Sequence, residues 1–581
     1  MDSKSALHDY LKKCHLLLEP CQDATKGRAV IALEEHKRGS ILTTSQPLGT
    51  VPLQSSQSDY CNYCFRRPRQ TQLEVSTLQR CSRCKSAYFC DMACFKNAWL
   101  SYHQFVCKPR SHRGEGEEGE EEETESDQEM LERVALNVSR YNKRKSAQSD
   151  PSVRPAEAQE NVAAEETVEV TMEAFFSLMD HYDDHSKALL QKYRSIADRV
   201  MDKAYIADTG LQQKELIQML CRFRCNNFAI HDDQLFAIGE GTYPIASLFN
   251  HSCRPNAIIM FDGALLILKA IENIEPGEEV TIAYVDTVHS RTYRQQFLCD
   301  KYFFQCRCVR CSDENPVFGG IDALLGEEES DWDRAENLLH PNEGISATLL
   351  KEIEAWDLLA LSRQYDRKHN NVPKAPLNLS TYTHGLLQRF TPYLWSVSNP
   401  ELVHSSPAPS PGRIPPQFPH FDDPLPLSAR PPVPENYADI IAEGVSFIRA
   451  MLPKSNDSLV ASRLTTLSAS TRLFYDEIAA NRWLNATKLG MYILTQYCLV
   501  YPPYHPMLGQ HTLLLAKAGW NYFVQADISG VQLEKVYERG VRRWIALAKE
   551  NIECSFGKNS VQWRDVVELE WIFMREQKLK Q

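Results

Sequence analysis

The sequence predicts an α+β multidomain chain, with a β-rich N-terminal half and an all-α C-terminal domain. Three observations carry this. Short apolar runs bounded by turn residues mark strands in the N-terminal half. Two groups of cysteines at metal-ligand spacing interrupt those runs, and helical periodicity dominates beyond residue 313. At 581 residues the chain has room for roughly three to five domains. A net charge of −12 and a pI near 5.8 argue against direct nucleic-acid binding. No apolar run approaches the length of a membrane span. Met1-Asp2-Ser3-Lys4 opens no secretory signal. Eighteen cysteines without such a signal point to a reducing intracellular compartment, nucleus or cytoplasm, and to metal rather than disulfides.

In chain order, Val30–Leu33 and Ile41-Leu42 read as strands around a polar turn at Lys37-Arg38-Gly39. Cysteines crowd from Cys61 to Cys107. Ten of the fifteen residues from Glu115 to Glu129 are acidic, and self-repulsion predicts a disordered linker over 108–165. Helical periodicity covers 166–220. His181, Asp183, Asp184 and His185 there resemble a metal cluster only loosely and read as an exposed helix face. Ala257–Phe261 and Ala264–Ala270 flank Asp262-Gly263 as a hairpin. Pro276-Gly277 is a further turn, followed by a strand-like Glu279–Val285. A second cysteine group closes at Cys311. Twelve prolines between Pro400 and Pro434 predict an extended insertion over about 400–436. Amphipathic helices fill 437–577, broken at Tyr501-Pro502-Pro503 and near Asp527–Gly530, with a degenerate repeat of helix pairs.

The first constellation is Cys61-x2-Cys64, Cys81-x2-Cys84, Cys90-x3-Cys94 and His103-x3-Cys107, enough ligands for two tetrahedral zinc ions. The x2 pairs suit tight knuckles, and the x3 pairs would share one face of a helix. The intervening segments are short and polar, so metal should supply most of their folding free energy. Spacing alone leaves the pairing open. The order of pairs resembles the MYND zinc finger at all eight positions. The resemblance implies Cys61, Cys64, Cys90 and Cys94 on one ion, with Cys81, Cys84, His103 and Cys107 on the other. It also implies a protein-binding module that often takes proline-rich peptides.

The second constellation opens with Asn250-His251-Ser252-Cys253-Arg254-Pro255-Asn256. Thr281-Ile282-Ala283-Tyr284-Val285-Asp286 and Cys306-x-Cys308-x2-Cys311 follow. Three cysteines leave a zinc one ligand short, and Cys253 is the nearest upstream candidate. Twelve ligands then serve three structural zinc ions. Cys14, Cys21, Cys221, Cys225, Cys299, Cys498 and Cys554 read as ordinary thiols.

These motifs resemble the SET domain of protein-lysine methyltransferases with its post-SET zinc site. Together with the first constellation the layout is similar to the SET-and-MYND family. The resemblance implies a SET domain split by the finger: 1–60 and 221–287 as SET, 61–107 as finger, 166–220 as helical insert and 288–312 as post-SET. Residues 313–581 would form the helical, tetratricopeptide-like C-terminal domain. It implies an S-adenosylmethionine-dependent enzyme acting on histone or non-histone lysines. Tyr284 would orient the amine and stabilise the methyl in flight. Tyr284 and Tyr302 would line the lysine channel. Lys26, Gly27, Arg28, Asn226, Asn250, His251, Tyr284 and Phe304 would meet the cofactor. Ala29 stands where the family often has Gly, so this loop is expected to bind differently. The chemistry needs a neutral amine. A free lysine has a pKa near 10.4, so neutrality at pH 7 costs roughly 4–5 kcal/mol, which an apolar channel lowers. The competing reading is a catalytically weak adaptor that recruits partners through the finger and C-terminal helices.

Overall fold

The computed structural model describes residues 5–21, 26–68, 77–107, 120–149, 162–312, 464–502, 504–525 and 531–580. The expected proline-rich insertion lies outside the described residues. No described helix is long and apolar enough to cross a membrane.

The N-terminal half interleaves short strands and helices. Helix α1 (Ala6–Lys13) starts at Ser5, whose hydroxyl accepts from the His8 amide, and buries Leu7 and Leu11 on one face. Strands β1 (Leu16–Pro20) and β2 (Arg28–Ala32) pair antiparallel. Strands β3 (Ile41–Ser45) and β4 (Gly49–Pro52) join other sheets, so the turn expected at Lys37-Arg38-Gly39 connects strands of separate sheets. A cysteine-rich segment carries β5 (Gln79–Arg80), β6 (Tyr88–Phe89), α2 (Met92–Ala98), a π-helical turn and α3 (Gln104–Val106). Only Cys94 of the Cys90-x3-Cys94 pair sits on a helix. Asp91 is the N-cap of α2, and Cys90 precedes it.

The disorder expected over 108–165 does not hold for its centre. Helix α4 spans Glu120–Ser149 and buries Met130, Leu131, Val134, Ala135 and Val138. Those positions recur at helical spacing just after the acidic run, and that apolar face outweighs the repulsion. Asn137 Nδ2 donates to the Leu48 carbonyl at 2.7 Å, and the Arg133 guanidinium lies 4.0 Å over the Tyr102 ring. Helix α4 thus ties β4 to the cysteine-rich segment.

Helices α5 (Val162–Ser177), α6 (Lys187–Met201), α7 (Ala204–Ala207) and α8 (Gln213–Asn226) follow. The expected exposed helix face at 181–185 is a turn between α5 and α6. His185 is buried there, edge-on to Phe303 at 4.9 Å, and His181 stacks on the same ring at 5.0 Å. Burial beside this aromatic ring, outside any helix, explains the difference.

Strands β7 (Asn227–His231) and β8 (Ala237–Thr242) pair with β4 in the order β4-β8-β7. The short β9 (Asn250–His251) pairs parallel with β12 (Thr281–Ile282). Between them β10 (Ala257–Asp262) and β11 (Leu265–Ala270) form the hairpin, paired onward to β3. Its turn is Gly263-Ala264, one residue later than the Asp-Gly reading. Gly263 has φ +62°, and a Cβ there would collide with the Cys64 carbonyl. The Ala264 amide donates to that carbonyl at 2.9 Å, so the hairpin tip docks on the first cysteine knuckle.

Helix α9 (Arg291–Tyr302) leads to Cys306–Cys311. The C-terminal part is helical: α10 (Leu464–Ala479), α11 (Trp483–Val500), α12 (Pro506–Gln525), α13 (Val531–Ser555) and α14 (Val561–Lys580), each packing on the next. Close approach of α12 and α13 rests on Gly519, where a Cβ would meet Trp544 at 2.7 Å. These helices dock on the N-terminal half. Lys269 Nζ donates to the Ser555 carbonyl at 3.0 Å, and Arg38 lies 4.0 Å over the Tyr504 ring. Tyr501 Oη donates to Asp286 at 3.3 Å, and Arg310 Nη1 reaches the Thr287 and Val500 carbonyls.

Candidate active site

The parallel β9–β12 pair places the Asn250-His251 motif beside the strand that leads into Tyr284. Tyr284 donates its amide to His251 Nδ1 at 3.0 Å and its hydroxyl to the Phe249 carbonyl at 2.7 Å. Accepting at Nδ1 fixes His251 as the Nε2–H tautomer. That Nε2 is 3.2 Å from Cys253 Sγ, so it donates to the sulfur. Burial pushes the imidazole down to about 3, keeping it neutral.

Four aromatic rings gather here. Tyr284 lies 4.7 Å from Tyr302, 5.3 Å from His251 and 6.4 Å, edge-on, from Phe304. Phe304 is 6.0 Å from His251. Burial raises the pKa of both tyrosines, so each hydroxyl keeps its proton. Phe303, in the left-handed region at φ 60°, ends α9 and turns the chain between Tyr302 and Phe304.

Lys26, Arg28 and Asn250 meet at the start of β2. Asn250 Nδ2 donates to the Arg28 carbonyl at 2.6 Å and to Glu279 Oε1 at 2.8 Å. The other oxygen of Glu279 takes the Lys26 ammonium at 2.6 Å. The Arg28 guanidinium is close enough to Tyr284 to interact electrostatically. Gly27 holds φ +72° and turns the chain into β2. Ala29 sits within that strand, paired with Glu19 in extended backbone open to any residue. The positive φ falls at Gly27, so alanine at 29 introduces no strain. Asn226 ends α8, with its side-chain amide donating to the Arg222 carbonyl at 2.9 Å.

The fold also assembles three tetrads of ligand atoms, the third of them against His251. The ligand atoms of Cys61, Cys64, Cys90 and Cys94 lie within 4.8 Å of one another. So do those of Cys81, Cys84, His103 and Cys107, and those of Cys253, Cys306, Cys308 and Cys311. A zinc–sulfur bond near 2.3 Å in a tetrahedron requires sulfurs about 3.8 Å apart. Cys64–Cys90 at 3.5 Å, Cys81–Cys107 at 3.7 Å and Cys253–Cys306 at 4.0 Å meet that requirement. His103 presents Nε2 at 3.7 Å from Cys84 Sγ, walled by Phe89, Phe95, Trp99 and Tyr102. Donor chemistry and spacing fit three zinc ions.

Two residues escape sequence reasoning. Glu279 joins Asn250 to Lys26, and its place in a strand-like run gave no sign of that. Arg294 on α9 is fully buried. It donates Nε to Cys253 Sγ at 3.2 Å, Nη2 to Cys311 Sγ at 3.6 Å and Nη1 to the His289 carbonyl. Hydrogen bonds therefore run from the Tyr284 amide through His251 and Cys253 to Arg294. The third tetrad and the aromatic cluster form one structural unit.

Residues 27–285 match the family model of the SET domain. Histone-lysine N-methyltransferase ASHR1 of Arabidopsis thaliana is 26% identical over 288 residues, covering 50% of this chain and 53% of that protein. Human N-lysine methyltransferase SMYD2 is 29% identical over 291 residues, covering 50% and 59%. Mouse histone-lysine N-methyltransferase SMYD3 is 26% identical over 344 residues, covering 57% and 69%. The match spans little more than half the length of the first two. The solved SET domain of LSMT, bound to lysine and AdoHcy, aligns with a TM-score of 0.25 at 10% identity, covering 98% of this chain and 92% of that one. That likeness is too weak to carry an argument. Residues 27–285 therefore carry a match to the SET domain, and over about half of its length the chain is similar to lysine methyltransferases of plants and mammals.

Proposed function

We propose that the chain is an S-adenosylmethionine-dependent protein-lysine N-methyltransferase acting on histone or non-histone lysines. The observation that supports it best is Tyr284, hydrogen-bonded at both ends and facing Tyr302, Phe304 and His251 beside a zinc-type tetrad. S-adenosylmethionine, when bound, supplies an electrophilic sulfonium methyl. Lys26, Gly27, Arg28, Asn226, Asn250, His251 and Phe304 are our candidates for holding it, with Glu279 setting the Asn250 amide. The chain's part in the chemistry is positioning. The Phe249 carbonyl accepts the hydrogen bond of the Tyr284 hydroxyl, which leaves the phenol oxygen's lone pairs free to face the amine. A buried, protonated phenol is no base, so the lysine gives up its proton to solvent as the walls desolvate it. Tyr284 and Tyr302 then align the neutral amine.

We further read 61–107 as a MYND finger able to take a proline-rich peptide, and the C-terminal helices as a tetratricopeptide-like domain that restricts access to the cleft. The thiol-rich chain supports an intracellular setting, nucleus or cytoplasm. The test is transfer of labelled methyl from S-adenosylmethionine into a cell lysate and mixed histones, with Tyr284→Phe alongside. We expect label on protein, strongly reduced in the variant. No label together with no cofactor binding would overturn the reading in favour of an adaptor.

A further inference from the structure

The aromatic corner that ends α9 is gripped by a turn from another part of the chain. Phe303 stands between Tyr302 and Phe304 in the left-handed region, at φ 60° and ψ 32°. A residue with a Cβ is disfavoured there, so its surroundings must hold it. Two rings from the turn between α5 and α6 meet its side chain. His181 stacks on it, with centroids 5.0 Å apart and planes at 28°, and His185 meets it edge-on at 4.9 Å and 76°. His181 is itself left-handed, at φ 51°. Its Nδ1 donates to Asp184 Oδ2 at 2.9 Å, which fixes the plane of the imidazole. His185 is buried, and Tyr193 of α6 packs edge-on to it at 6.3 Å.

Helix α8 anchors both halves of this contact. Arg222 Nε donates to the Leu178 carbonyl at 3.2 Å, and its guanidinium pairs with Asp180 at 3.5 Å, which holds the turn. Cys225 Sγ donates to the Lys301 carbonyl at 3.2 Å, and Arg224 Nη2 donates to the Asp300 carbonyl at 3.4 Å, which holds the end of α9. The two neighbours of Phe303 face the site. Tyr302 lies 4.7 Å from Tyr284, and Phe304 lies 6.0 Å from His251. One backbone corner joins all three rings, so a shift of Phe303 carries both neighbours with it.

We propose that His181 and His185 are positioning residues of the active site, a clamp on Phe303 that sets Tyr302 in the lysine channel and Phe304 beside the cofactor. The inference rests on the lysine-methyltransferase reading and names residues of the helical insert that tune its site. Both histidines act through Phe303. Burial lowers the pKa of His185, so its ring packs as a neutral imidazole and a phenyl ring can stand in for it. Alignment of amine and methyl is sensitive to displacements on the order of 1 Å, and a loosened corner would misplace the channel and the cofactor side together.

Histidines that merely fill space predict a lower Tm and an unchanged site, whereas the clamp predicts a changed site in a folded chain. The full chain is labelled with 3-fluorotyrosine, and Tyr302→Phe assigns the Tyr302 fluorine resonance. His185→Ala removes the edge-on ring. His181→Asn removes the stacked ring with a residue that tolerates positive φ. In both, the Tyr302 resonance should move or broaden, S-adenosylhomocysteine should bind roughly tenfold more weakly by calorimetry, and KM for mixed core histones should rise by more than kcat falls. His185→Phe restores an edge-on ring and should return all three readouts toward wild type. Zinc content and circular dichroism establish that each variant is folded; if His185→Ala does not fold, His181→Asn and His185→Phe carry the test. A Tyr302 resonance or a cofactor affinity unmoved in His181→Asn overturns the clamp, as does a His185→Phe chain that loses both. A wild-type chain that transfers no methyl sinks the enzymatic reading, and the fluorine resonance still decides the clamp. Methyl transfer with that resonance unmoved in His181→Asn does the reverse.

Discussion

Replacing Arg294 by methionine should loosen one zinc site and leave the other two alone. The guanidinium is fully buried and donates to two sulfurs of the third tetrad, Cys253 at 3.2 Å and Cys311 at 3.6 Å. Four thiolates around one divalent ion carry net negative charge. In a buried setting that charge needs compensation, and Arg294 is the cation in contact with it. A hydrogen bond to a charged group contributes about 1.5–3 kcal/mol, and stripping one partner from a buried ion pair costs about 3–5 kcal/mol. Taking about 3 kcal/mol as expressed in metal affinity, the third zinc should bind roughly a hundredfold more weakly. Arg294→Lys keeps the charge but loses the planar fork, and should fall between. The assay is stepwise zinc release to a chromogenic chelator from the full chain. In Arg294→Met one equivalent should leave early while two leave at the wild-type rate. Because His251 donates to the same Cys253 sulfur, cofactor affinity should drop in parallel with the early zinc. Release of all zinc at the wild-type rate would refute the reasoning.

Other outcomes follow from the same geometry. Metal analysis of the purified chain should find about three zinc per chain, one for each tetrad; one or none breaks the ligand assignment. Leu131 on α4 is wholly buried, so Leu131→Ala should cost about 2–5 kcal/mol, read as a lower Tm. An unchanged Tm would return that segment to the disordered reading. His505 and His511 are both pushed down to about 4, chiefly by burial. Their folded pKa lies below the unfolded value near 6.5. The stability they contribute is therefore complete above pH 6.5 and lost as pH falls toward 4, on the order of 3 kcal/mol each. His511 donates Nε2–H to the Gly490 carbonyl at 2.8 Å. His511→Gln keeps a donor there without titrating, and should flatten the acid limb of a stability–pH profile; an acid limb as steep as wild type removes His511 from the account.

How much could be read in advance depended on how local the signal was. Zinc ligands announce themselves because a knuckle needs ligands at short, fixed spacing, and the three tetrads are made of x2 and x3 pairs and the Cys306-x-Cys308-x2-Cys311 run, plus Cys253. The hairpin at β10–β11 and the helix break at Tyr501-Pro502-Pro503 were legible for the same reason. Helix α4 was misread because composition was weighed before periodicity. The acidic run ends where Met130, Leu131, Val134, Ala135 and Val138 begin, and their spacing carried the correct answer. Cys90 lies outside α2 because Asp91 takes the N-cap, a competition between equally plausible starts. Ala29 drew attention as a departure, but the backbone turn it was suspected of disturbing lies two residues earlier, at Gly27. Glu279 and Arg294 could not have been found by pattern. A single charged residue in a strand or helix is ordinary, and each becomes significant only through a partner brought near by the fold.

The most direct test of the central claim identifies the acceptor atom. The full chain is incubated with S-adenosylmethionine carrying a deuterated methyl group, together with mixed histones and a lysate, and the digested proteins are analysed by mass spectrometry. The account predicts deuterated methyl on lysine Nε, and its near-complete loss in Tyr284→Phe with cofactor binding retained. Label confined to arginine, cysteine or small amines, or lysine label undiminished in Tyr284→Phe, would contradict it.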